Sequence, residues 1–145
     1  WYHATRRAAA KSILAKGVNP AKLRAGSRFG PGLYLSRRPG TALAEKGAGS
    51  TVVRFQGSRA LEGRMVDLRR PTVRQLRSRL GDVDLRGTVK KGVIGPKLGR
   101  QLGREAGRQG QAIQYRSAKT GGSNLVIPKQ LLQAHPHLVR PSGAR

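Results

Sequence analysis

Residues Arg28–Glu45, RFGPGLYLSRRPGTALAE, join a glycine-rich turn to a short strand and then to the start of a helix. Gly30, Pro31 and Gly32 punctuate the turn. Leu33–Ser36 reads as a strand, and alternation sets Tyr34 on the opposite face from Leu33 and Leu35. Thr41 is a candidate cap for a helix running through Glu45, so the stretch ends on a carboxylate. A turn, strand and helix in this order bring backbone, an aromatic ring and an acid together, as a pocket for a flat, charged cofactor requires. Two distant segments add weight to it. WYHAT, at 1–5, places a histidine at the start of the chain, and QYRSAKTGGSNLVIP, Gln114–Pro128, closes the other end.

Trp1–Ala4 reads as a first strand, and Thr5 as the cap of a helix Arg6–Lys16 that stops at Gly17. The spacing predicts further strands at Thr51–Gln56, Arg64–Leu68, Ala112–Tyr115 and Asn124–Ile127. Pro71 opens a helix, PTVRQLRSRLG, with Val73, Leu76 and Leu80 on one side. Gly87–Gly110 is basic and glycine-punctuated, a loop followed by a short helix Pro96–Ala106. Pro128 starts a last helix through Ala134, and residues 135–145, HPHLVRPSGAR, read as a basic, flexible tail. Short strands interspersed with helices fit an α+β fold: one domain over 1–145, with a small mixed or antiparallel sheet and helices packed outside.

A chain of 145 residues suits a single core. Thirty Lys and Arg against six Asp and Glu give a formal net charge of +24. Self-repulsion at that density works against the compact state, so the fold is expected to operate beside a polyanion. Cysteine is absent, which excludes disulfides and thiolate chemistry. No apolar run approaches the roughly 20 residues needed to cross a bilayer, and membrane insertion is not expected. The chain starts at Trp1 rather than Met, and it is expected to be a piece of a longer polypeptide.

Several chemistries lack their residues. There is no GxxxxGK[ST] loop and no GxGxxG after a strand, so P-loop and Rossmann sites are not expected. A GxSxG nucleophile elbow is missing too. The histidines, His3, His135 and His137, have no acid pair at ligand spacing, so no metal site is expected.

The ordered blocks WYHAT, RFGPGLYLS, TALAE, QYRS and GGSNLVIP resemble the ADP-ribosyltransferase superfamily. The likeness is to its histidine–tyrosine–glutamate branch, represented by diphtheria toxin and the poly-ADP-ribose polymerases, and to the related RES domains of bacterial toxins. It implies NAD+ as co-substrate and no metal. On the resemblance, His3 holds a ribose hydroxyl and Tyr34 packs on the nicotinamide ring. An imidazole can donate to or accept from a hydroxyl, and an aromatic face suits a flat cationic ring. Thr5, Arg28, Phe29, Gly32, Ser117 and Asn124 join them as cofactor-binding candidates, Arg28 because a guanidinium fork suits a pyrophosphate.

The third position departs from the polymerase pattern: where those enzymes carry a glutamate, GGSNLVIP offers Asn124. Asparagine has no charge to stabilise a cationic sugar. RES domains use a carboxylate on the helix after the YLS strand and a serine after a late tyrosine, positions that match Glu45 and Ser117. His3 stands where RES domains have arginine, so the chain looks intermediate between the two. His3, Tyr34 and Glu45 are the candidate catalytic residues, with Glu62 and Glu105 as alternative acids.

The resemblance implies a toxin module of a bacterial polymorphic (Rhs-type) toxin, secreted and acting in the target-cell cytoplasm, with an acidic immunity protein as partner. The excess charge favours structured or double-stranded RNA as the acceptor of ADP-ribose, at a ribose hydroxyl. Arg70, Arg74, Arg77, Arg79, Lys90 and Lys91 are the candidate phosphate contacts. Transfer to water or phosphate, transfer to protein, and a non-enzymatic basic RNA-binding protein are the alternatives.

Overall fold

The computed structural model describes residues 1–24, 28–81, 89–90 and 93–144, with Val89 and Lys90 as backbone only. Its strands are β1 (Tyr2–Thr5), β2 (Gly32–Ser36), β3 (Thr51–Gly57), β4 (Met65–Leu68), β5 (Val89–Lys90), β6 (Val93–Ile94), β7 (Ala112–Arg116), β8 (Ser123–Pro128) and β9 (Val139–Ala144). The helices are α1 (Arg7–Lys16), α2 (Pro39–Lys46), α3 (Arg59–Glu62), α4 (Val73–Leu80), α5 (Pro96–Arg108) and α6 (Lys129–Ala134). The main sheet runs β4-β7-β8-β2-β1-β3-β9, while β5 and β6 pair separately. Within it only β4 and β7 run parallel; the other neighbours are antiparallel. This is an α+β fold. Among the described residues no helix is long and apolar enough to cross a membrane.

Alternation divides the sheet into two faces. On one, Leu33, Leu35, Val53, Phe55, Leu125 and Ile127 pack with Ala10 of α1 and Leu131 and Leu132 of α6. On the other, Ile113, Tyr115 and Val126 meet Leu98, Leu102 and Ala106 of α5. Over the β1–β3 half of that second face, Ala42 of α2 packs on Ala4 and Val52. Two separate helices thus cover one face, α5 at one end and α2 at the other, and β2 runs between them.

α5 is where the sequence pattern was hardest to read, because PKLGRQLGREAG carries Gly99, Gly103 and Gly107 at helical spacing. Each helical glycine costs about 1 kcal/mol relative to alanine, whereas Leu98 and Leu102, nearly fully buried, contribute about 1.5–3 kcal/mol each. The apolar face therefore outweighs the glycines and the helix forms in full. The glycine stripe lets another backbone come close. A Cβ at Gly99 would lie 2.5 Å from the Arg28 carbonyl oxygen, one at Gly103 would overlap the carbonyl of Phe29, and one at Gly107 would lie 3.0 Å from Gln130 Oε1. α5 is thereby pressed against the 28–31 turn, which it holds beside β2.

Several expected details are corrected. Thr5 lies in β1 and Arg6 takes the N-cap of α1 without a side-chain bond. α2 begins at Pro39, which fixes the first-turn backbone, so Thr41 is inside the helix rather than its cap. α4 is capped by Thr72 in a capping box with Gln75. Residues 135–144 are not a flexible tail: Pro136–Leu138 makes a 3-10 turn with Leu138 fully buried, and Val139–Ala144 pairs with β3. Its position at the sheet edge tolerates Pro141, whose missing N–H would break an inner ladder.

Candidate active site

The sheet is nearly parted at its middle. β1 pairs with β3 from Tyr2↔Arg54 to Thr5↔Thr51, and β2 pairs with β8 from Gly32↔Pro128 to Ser36↔Asn124. β1 and β2 meet only at Tyr2↔Ser36. Where the ladder stops, the His3 side chain spans the seam, with Nδ1 2.8 Å from the Tyr34 carbonyl oxygen. A carbonyl can only accept, so Nδ1 carries the proton and Nε2 is left as an acceptor. The seam opens into a cleft of about 590 Å³ lined by His3, Arg28, Tyr34, Glu45, Tyr115 and Asn124, among others.

One wall of the cleft is the 28–31 turn. The Tyr34 hydroxyl donates to the Gly30 carbonyl (2.7 Å) and accepts from the Phe29 N–H (3.0 Å), which fixes the ring. Phe29, expected to touch a cofactor, is instead buried behind that turn against Tyr115, their ring centroids 4.6 Å apart. Gly32 lies against β8, where a Cβ would be 2.8 Å from the Ile127 carbonyl oxygen. Thr5, Arg28 and Gly32 all line the cleft.

The other wall is α2 with the turn between β7 and β8. Glu45 Oε1 accepts from Ser117 Oγ (2.5 Å) and from Asn124 Nδ2 (3.2 Å), and Asn124 Oδ1 accepts from Ser36 Oγ (2.7 Å). Ser117 Oγ in turn accepts from the Lys119 and Thr120 N–H groups, at 3.2 and 3.1 Å. Ser36, Ser117 and Asn124 are buried, and among the described residues no buried side-chain polar atom lacks a partner. Both donors meet Oε1, and among the described residues Oε2 has no hydrogen-bond partner, which leaves the second carboxylate oxygen available to a ligand. The cluster therefore holds a negative charge at a fixed place in an otherwise cationic cleft.

Tyr115 belongs to this cluster, although sequence reasoning gave it no role. Burial, then the neighbouring Tyr34 and Glu45, push its hydroxyl well above the ordinary tyrosine range, against smaller effects of Arg28 and a hydrogen bond to Asn124. It stays protonated and able to donate. The signal for it was present: Tyr115 precedes Ser117 by two residues, the spacing of one strand face. Ser36 gave no such signal, because its meeting with Asn124 depends on the β2–β8 register.

Burial is also the main cause that lowers the His3 pKa, with Lys46 adding to it and the Tyr34 carbonyl opposing. His3 is therefore neutral at pH 7. Binding of a ligand that donates to Nε2 is expected to be independent of His3 ionisation at pH 7 and above. It should weaken only at a pH below the ordinary histidine value of about 6.5, as Nε2 gains a proton, a dependence that His3→Gln should remove from a pH–affinity profile. Stability has the same sign. The unfolded chain takes up this proton first, so stability is lost as pH falls from about 6.5 to the lower folded value.

The remaining candidates lie elsewhere. Glu62 ends α3, and Glu105 on α5 accepts from Gln109 (2.8 Å) and pairs with Arg108 (3.4 Å); neither lines the cleft. Arg70, Arg69 and Arg116 border a second, open cleft of about 640 Å³. Among the described residues its one carboxylate is Asp67, whose two oxygens are both taken by Arg69, whereas Glu45 is held through Oε1 alone. Arg74 and Arg77 are exposed on α4, and Arg79 donates to Gln111 (2.6 Å). Lys91 lies outside the described residues, as does the Lys90 side chain. Among the described residues no three His, Cys, Asp or Glu side chains stand together as a metal site would need.

The family model described as "RES domain" matches residues 1–142. Among solved structures, the chain is similar to the crystal structure of the M. tuberculosis MbcT–MbcA toxin–antitoxin complex, with a TM-score of 0.57 and 13% identity. That likeness covers 99% of this chain and 81% of the other, and at this identity it speaks for the fold. No curated protein matches.

Proposed function

The chain belongs to the RES-domain family of NAD+-utilising toxins, and from that premise we propose that it binds NAD+ in the cleft between β1 and β2 and breaks the nicotinamide–ribose bond. The observation that carries this proposal is the Glu45 carboxylate, tied by Ser117 and Asn124 on the wall of the cleft that Tyr34 and His3 also line.

His3 Nε2 accepts from a ribose hydroxyl, the Tyr34 ring packs on the nicotinamide, and Arg28 faces the pyrophosphate. The C1′–N bond breaks with its electron pair going to nicotinamide, which leaves neutral. The sugar is left cationic, and Glu45 is the preorganised charge that stabilises it. Asn124, at the position of the polymerase glutamate, orients the acid by donating to Oε1, so the charge is supplied from α2 instead. Water or phosphate then adds to C1′ and loses a proton to solvent.

The finer reading, transfer of ADP-ribose to structured RNA, is supported by one specific observation: Arg70, Arg74 and Arg77 are exposed and, among the described residues, have no acidic partner. An acidic immunity partner fits the same charge, and the similar solved structure is that of a toxin with its antitoxin. Delivery as the toxic end of a longer Rhs-type polypeptide, into a target-cell cytoplasm, completes the proposal.

Incubation of the protein with NAD+ labelled in the adenylate half, in buffer, in phosphate, with duplex RNA and with a protein pool, tests it. Free ADP-ribose or its 1″-phosphate supports the small-acceptor reading, and label on RNA supports the second. Intact NAD+ in every tube refutes both.

A further inference from the structure

Resting on the role proposed for Glu45, we propose that Lys119 is a positioning residue that fixes this carboxylate by closing the helix that carries it. α2 ends at Lys46, and the Gly47 N–H returns to the Leu43 carbonyl at 2.7 Å. The next two carbonyls, of Ala44 and Glu45, have no partner within the helix, as at any helix C-terminus. Lys119 Nζ reaches across from the β7–β8 turn and donates to both, at 3.0 and 3.2 Å. An ammonium carries donors for two carbonyls at once, and its charge is placed at the negative end of the helix.

The same turn also holds the acid by its side chain. Ser117 donates to Glu45 Oε1, and its Oγ accepts the N–H groups of Lys119 and Thr120, which shapes the turn that presents Lys119. One helical turn earlier, Thr120 Oγ1 donates to Thr41 Oγ1 (3.3 Å). At Gly122 a Cβ would lie 2.9 Å from that same Thr41 oxygen, so the missing side chain permits the approach. Residues 117–122 thus clamp α2 at Thr41, at the Glu45 side chain and at the Glu45 backbone. Among the described residues, only the Lys119 bonds bring a positive charge to the backbone of the residue that bears the acid. Without them the last turn of α2 frays and the carboxylate loses its fixed position, and misplacement of a reacting group is costly.

Lys119→Met is expected to lower kcat for nicotinamide release about tenfold with KM within about twofold of wild type, the pattern of an interaction that serves the transition state. Amide hydrogen exchange at Lys46 and Gly47 should quicken about fivefold or more in the same variant, as local opening becomes easier. Lys119→Arg, which keeps charge and donors, should restore most of kcat. An unchanged kcat, a raised KM with kcat intact, or exchange identical to wild type would each overturn the proposal. Wild-type protein that leaves NAD+ intact would sink the function instead, and the exchange rates alone would then decide whether Lys119 locks α2.

Discussion

Glu45→Gln is expected to lower kcat for nicotinamide release about 10³-fold, roughly 4 kcal/mol of transition-state stabilisation, while leaving dinucleotide binding and folding close to wild type. The substitution is nearly isosteric. The glutamine carbonyl still accepts from Ser117 and Asn124, so the cluster that now meets at Oε1 keeps its geometry. What disappears is the charge, and charge is what a cationic sugar requires. Glu45 is exposed at the end of α2, so folding depends little on it. Glu62→Gln and Glu105→Gln should leave kcat unchanged, because neither side chain lines the cleft. Steady-state release of nicotinamide, with a thermal melt of each variant, checks all three. A Glu45→Gln protein with full activity would move the acid elsewhere.

The second large effect is on stability and concerns Gly103. An alanine in a helix interior normally stabilises by roughly 0.5–1 kcal/mol over glycine. At Gly40 in α2 that gain is expected, since nothing lies within 4 Å of an added Cβ. At Gly103 the sign reverses, because the methyl group would overlap the Phe29 carbonyl carbon and oxygen. Backbone has no rotamer by which to yield, so α5 must move off the 28–31 turn, and overpacking of this kind costs about 1–3 kcal/mol or more. The site should loosen with it, since the Phe29 N–H donates to the Tyr34 hydroxyl and the Phe29 ring rests on Tyr115. Denaturant melts should therefore place Gly103→Ala well below wild type and Gly40→Ala slightly above it. A Gly103→Ala protein as stable as wild type would contradict the close packing of α5 on the turn.

The strands of the inner sheet were legible as short runs of apolar, aromatic and β-branched residues bounded by turn residues, and α1, α2, α4 and α6 because each shows a start or stop signal. β9 was not, since VRPSGA carries a proline, a glycine and a charge that read as a tail; its place depends on the exposed edge of β3, which only the folded sheet creates. α3, one turn long, has too few residues to show a period. α5 was cut short because glycine reads as a breaker, although here it serves close approach.

Most of the candidate site was legible as residues but not as geometry. His3, Tyr34, Glu45, Ser117 and Asn124 stood out in the sequence, yet nothing in it says that Ser117 and Asn124 both bond Glu45. That convergence follows from the β2–β8 register and the docking of the 117–122 turn on α2, contacts between residues more than 70 positions apart. Lys119 was hidden for the same reason: in a chain with thirty Lys and Arg, composition cannot single out the one that closes a helix.

A crystal structure of the Glu45→Gln variant with NAD+ bound is the most direct test of the account. NAD+ should lie in the β1–β2 seam, with a ribose hydroxyl on His3 Nε2, the nicotinamide against Tyr34, and C1′ beside residue 45. A dinucleotide seated instead in the cleft of Arg69, Arg70 and Arg116, or with its nicotinamide away from Tyr34, would contradict it.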